Sequence, residues 1–150
     1  MATPVAPRDP KDFGWLLDNF ATSTPGVTHA LIVSADGLPL IAARGMAADL
    51  ADPLAAMTSG IISLGNNIAA KVGEAGCDQV MLKFPAGHFL FMNIGSLAGF
   101  AVLVAEGANL GLVAHQMAQL VDAVGHVLTP QLRDDLRRLT ADAMTAGDRT

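Results

Sequence analysis

Four histidines, one cysteine and fourteen acidic residues are the groups in this chain with chemistry to offer. General acid–base catalysis needs such groups poised against one another, and metal binding needs them at short, regular spacings. Neither pattern is present. His29, His88, His115 and His126 show no zinc-like spacing among themselves or with Cys77. His29 and His88 fall in strand-like runs, whereas His115 and His126 read as surface positions of a helix. Cys77 lies between Gly76 and Asp78 with no basic neighbour to activate its thiol, and reads as a strand-start residue. A phosphate-binding turn ending in Lys-Ser/Thr is missing, and so is a Gly-x-Ser-x-Gly elbow. Gly95-Ser96-Leu97-Ala98-Gly99 is a weak substitute, and Gly107 to Gly111 is better explained as a turn followed by a helix cap. The residues predict no catalytic group, no cofactor and no metal, and so a protein that is not an enzyme.

Composition narrows the remaining classes. Hydrophobic residues make up 51% of the chain and charged ones 15%, lean for a free monomer and favouring an oligomer. A net charge of −5, with no Lys/Arg patch before the C-terminal stretch, argues against nucleic acid as a partner. A single cysteine permits no intrachain disulfide, which points to the cytoplasm. The first residues, MATPVAPRDPK, lack the apolar core of a signal peptide, and every long apolar run is interrupted by Pro, Asn or Gly.

The elements are organised around Pro53 to Ala70, which holds no charged residue. Leu54, Met57, Ile61, Leu64 and Ile68 recur at steps of three and four, the repeat of one helix face. Beside them runs a smaller stripe: Ala55, Ser59, Ile62, Asn66, Ala69 and Gly73. The expectation is that the large stripe packs on a sheet. The small stripe would then admit a second helix, that of another copy. Asp52-Pro53 is expected to cap and open this helix, with Asp49 as an earlier start.

Before it, three prolines in residues 1–11 suggest a mobile arm. Asp12 would cap a short helix burying Phe13, Leu16, Leu17 and Phe20, with Trp15 off that face. Val27–Val33 and Leu38–Ala43, joined through Asp36-Gly37, read as a hairpin whose second strand is kept at an edge by Pro39. After the long helix, Gln79–Phe84, His88–Ile94 and Leu97–Ala105 read as three strands joined by short turns. Gln79–Phe84 is the edge left free to pair, through Val80 and Leu82. Asn109 should cap a helix burying Leu110, Val113, Met117, Leu120, Val121, Val124 and Leu128. Residues 129–150 read as a short helix, with an Asp134–Arg138 pair, and a frayed tail. The sum is an α+β sandwich: a five-stranded antiparallel sheet, one long helix on one face and two helices on the other.

Three strings carry a family resemblance: THALIVSADGLPLIAARG, DPLAAMTSGIISLGNNIAAKVG and ANLGLVAHQMAQLVDAVGHVLTPQLRDDLRR. In this order they resemble the Roadblock/dynein light chain family, most nearly the actinobacterial versions encoded beside small Ras-like GTPases and histidine-kinase-like proteins. The likeness covers roughly residues 12–138, with the Roadblock-like domain drawn at 12–128. The chain departs from the family pattern at Pro53, in place of a polar residue, and at His115-Gln116, in place of a Tyr-Glu pair. The resemblance implies a profilin-like fold and a homodimer whose long helices lie side by side and whose third strands join edge to edge. Ala55, Ser59, Ile62, Asn66, Ala69, Val80 and Leu82 would form that interface. It also implies a non-enzymatic regulator or scaffold of a small Ras-like GTPase, with a histidine-kinase-like protein as a further partner. Recruitment to the inner membrane face would go through such partners. Asn67 and Lys71, placed away from the large stripe, are the candidate GTPase contacts. Arg44 is a conceivable arginine finger, though a solvated loop residue is the stronger reading. A small-molecule-sensing module is the alternative, for which His29 and Asn93 are the inward-pointing polar candidates.

Overall fold

The computed structural model describes residues 10–43, 45–96 and 98–138. Arg44, Leu97 at the expected start of the last strand, residues 1–9 of the expected arm and residues 139–150 of the expected C-terminal stretch lie outside the described residues.

The first element, α1 (Pro10–Ser23), begins one half-turn before the expected cap: Asp12 sits inside its first turn and Pro10 opens it. Phe13, Leu16, Leu17 and Phe20 are all buried, and the Phe20 ring meets Phe100 edge-on at 5.0 Å. Trp15, off that face, is 66% exposed. The hairpin strands are β1 (Val27–Ser34) and β2 (Pro39–Ala42). Gly37 turns between them at φ +88°, a conformation that L side chains rarely adopt. Next come the long helix α2 (Ala48–Lys71), the meander β3 (Gln79–Phe84), β4 (Gly87–Ile94) and β5 (Ala98–Ala105), and α3 (Leu110–Gly125). Asn109 caps α3, its side chain accepting the Leu112 N–H at 3.1 Å. Residues 130–138 form a fourth helix, α4.

All strand pairs are antiparallel, in the order β2-β1-β5-β4-β3. Pro39 thus lies on one edge, in β2, and β3 forms the other. Strand alternation sends side chains into two cores. On one face Ile32, Leu90, Phe100 and Val102 meet α1, α3 and Leu136 of α4. Leu136 is 2% exposed and lies in this core, so α4 covers the sheet together with α1 and α3. Arg138 pairs with Asp135 rather than with Asp134.

The other face corrects the reading of α2. Its small side chains are the ones buried there: Ala51 and Ala55 lie in the sheet-side core, and Thr58 and Ala69 are buried too. Of the large stripe only Leu54 and Ile61 pack partly against that core, beside Ile62. Across from them lie Leu31, Val33, Phe89 and Phe91. The sheet supplies the bulk, so the helix approaches closely only with small residues. A Cβ at Gly65 would come within 2.9 Å of Cys77 Sγ. The cap is corrected as well. The helix starts at Ala48 after an Ala47 cap without a side-chain bond, and Pro53 lies inside it. Gly73, at φ +80°, ends it as expected.

The β1–β2 turn is held from both layers. Ser59 of α2 donates to the Ala35 carbonyl at 3.1 Å. From the opposite face Arg137 of α4 donates to both Asp36 carboxylate oxygens, at 3.0 and 3.2 Å. The Ser34 hydroxyl also donates to Asp36. That bond first, and the Arg137 guanidinium after it, hold the Asp36 carboxyl below its usual range.

Candidate interaction surface

With its small side inward, α2 leaves part of its large stripe outward. Met57, Leu64, Ile68 and Val72 are 59%, 64%, 66% and 68% exposed. At 100° per residue Met57, Leu64 and Ile68 fall within a narrow arc, an apolar ridge about three turns long. Exposed alkyl surface of this extent costs about 25 cal/mol per Å² until something covers it.

The same face of the sheet is open at its far end. The helix lies chiefly over β1 and β2. Val80 and Leu82 pair across strands with Phe91 and Phe89, which places them and Phe84 on the α2 face. Val80 packs partly against that core, whereas Leu82 and Phe84 are exposed. On its outer side β3 has no strand neighbour among the described residues. Its backbone groups there form a pairing edge.

The residues expected at an interface are therefore divided. Ala55 and Ala69 are buried inside the protomer, and Ile62 faces the sheet. Ser59 holds the β1–β2 turn, and Asn66 accepts the Cys77 N–H at 2.9 Å. Small residues on a helix admit either a helix or a sheet, and here the protomer's own sheet takes them. Val80 and Leu82 lie at the open edge. Asn67 and Lys71 are both exposed. Lys71 follows Leu64 and Ile68 at steps of seven and three, on the same side as the large ridge rather than away from it. The bulky Phe89 and Phe91, alternating with Leu90 in one strand, were the signal that small residues must face them. Among the described residues no group of three His, Cys, Asp or Glu side chains could hold a metal ion.

A twisted antiparallel sheet between one long helix and a layer of shorter ones defines an α+β domain of the profilin kind. Within that class the chain belongs to the Roadblock/LC7 family, whose domain model matches residues 13–105. It is 31% identical to a Roadblock/LC7 domain from Streptomyces avermitilis. That match covers 73% of this chain and 92% of the other, with a TM-score of 0.69. The fold is also that of MglB from Myxococcus xanthus, at 16% identity, 77% and 93% coverage and a TM-score of 0.71. Profilin IA from Acanthamoeba castellanii is similar at 18% identity, 73% and 94% coverage and a TM-score of 0.52. No match was found among curated proteins.

Proposed function

We propose that the protein is a homodimeric, non-enzymatic regulator or scaffold for a small Ras-like GTPase, acting in the cytoplasm. The observation that carries the dimer is the exposed ridge of Met57, Leu64 and Ile68 together with an unpaired β3 edge on the same molecule. A second copy satisfies both at once. Helix packs on helix through the ridge, and strand pairs with strand through main-chain hydrogen bonds. Family membership supports a regulatory role. The polar end of α2, with Asn67 and Lys71 exposed and Glu74 exposed just beyond it, supplies a surface for the GTPase beside the seam. Uncharged amides hydrogen-bond a partner at less desolvation cost than charges.

Two variants separate the claims. Leu64→Lys with Ile68→Lys should reduce the sedimenting mass from about twice 15.4 kDa to the monomer value. A dimer that survives both charges would place the interface elsewhere. Asn67→Asp should keep the dimer mass and weaken capture of a small Ras-like GTPase. If the wild-type dimer captures no such GTPase, the regulatory reading fails.

A further inference from the structure

A second feature lies on the opposite flank of α2 and takes no part in the ridge. Ser59, Ser63 and Asn66 point about half a turn away from Met57, Leu64 and Ile68. Between that flank and the β4–β5 end of the sheet lies a cleft of about 320 Å³. That volume is within the range of small-molecule sites. Among the described residues its lining contains no charged one; Val33, Ile62 and Phe91 form an apolar floor. The polar groups are hydroxyls and two carboxamides, Asn66 and Asn93.

The two carboxamides are oriented by one residue. Asn66 Oδ1 accepts the Cys77 N–H at 2.9 Å, and Asn93 Nδ2 donates to the Cys77 carbonyl at 2.5 Å. An N–H only donates and a carbonyl only accepts, so neither amide can be flipped without losing its bond. What each has left to offer is then determined. Asn66 presents its NH₂ as a donor, and Asn93 presents its oxygen as an acceptor. A donor and an acceptor held at the edge of an uncharged cleft match a ligand whose edge carries the reverse pair. Nucleobases and primary amides have such an edge.

We infer that this cleft binds a small neutral molecule of nucleoside size, its amide-like edge read by Asn66 and Asn93 and its body lying over Phe91, Val33 and Ile62. With no cation among the described residues of the lining, nothing in it compensates a phosphate or carboxylate.

The test is amide chemical-shift mapping of the full chain with adenosine, uridine and nicotinamide at millimolar concentration. At least one should shift the side-chain signals of Asn66 and Asn93 and the backbone signal of Ser96. Asn66→Asp keeps the acceptor for Cys77 and replaces the donor offered to the ligand with a charged acceptor. It should weaken binding about tenfold or more. Ser63→Phe, at an exposed rim position, should close the cleft with the same effect and an unchanged melting temperature. If none of the three probes moves these signals, or if Asn66→Asp binds as the wild type does, the assignment is overturned. Dimer mass and GTPase capture are read separately, so either proposal can fail alone.

Discussion

Leu64 and Ala55 lie on one helix about two and a half turns apart, and should respond to substitution in opposite ways. Leu64 is 64% exposed and Ala55 is fully buried against the sheet. Truncating Leu64 to Ala should change protomer stability by no more than about 0.5 kcal/mol while weakening self-association. Enlarging Ala55 to Leu should cost roughly 1–3 kcal/mol, because overpacking displaces α2 from Phe89 and Phe91. Chemical denaturation of both variants, at a concentration where each is monomeric, checks the contrast. Asp36 supplies a second residue-scale expectation. Its carboxyl is held low by the Ser34 hydroxyl and then by Arg137. A lowered folded-state value means that its stabilisation is present above the unfolded value of 3.8 and is lost as pH falls through the folded one. Asp36→Asn should therefore be less stable than the wild type at neutral pH. The loss should be roughly 0.2–1 kcal/mol, the range of exposed pairs. The difference should shrink below about pH 4, as thermal melts across pH would show.

Among the elements, β3 is the one whose two sides do different work. Along an antiparallel strand successive N–H groups alternate between the two neighbours, so half of those in β3 serve β4 and half face outward. A proline placed at each position from Val80 to Lys83 should give an alternating result. Outward positions should lower the dimer mass with little loss of protomer stability, and inward ones should destabilise the protomer itself. Equal effects at all four positions would mean that the edge does not pair. The elements themselves were readable from the chain. Asn109 before an apolar repeat and Asp36-Gly37 between β-branched runs are local signals, and both act locally in the fold. Which side of α2 faces inward was not readable in that way. Periodicity locates a stripe but does not say whether the opposing surface is concave or convex in bulk. Here Phe89 and Phe91, more than twenty residues later, decide it. The same holds for the Asn66–Cys77–Asn93 arrangement and for Arg137 on Asp36. Each joins residues that nothing in the local sequence relates.

For the whole molecule, architecture was more legible than surface. Pro39 marked one edge, the unbroken apolar runs of β1 and β5 marked the middle, and the structure has them there. The candidate surface is half legible: Pro39 leaves β3 as the free edge, whereas the exposure of Met57, Leu64 and Ile68 does not follow from their spacing. The strand order carries one more consequence, which concerns time rather than contact. The hairpin β1–β2 and the meander β3–β4–β5 each close on short loops, so both can form early and independently. The seam between them cannot. Leu31 pairs with Ala101, seventy residues later, with the whole of α2 in the intervening loop. Closing that loop costs chain entropy before any contact offsets it, which makes β1–β5 docking the slow event in folding. Until it happens, the apolar inner strands of both halves are open edges. The centre of the finished sheet is thus the most aggregation-prone part of the nascent one.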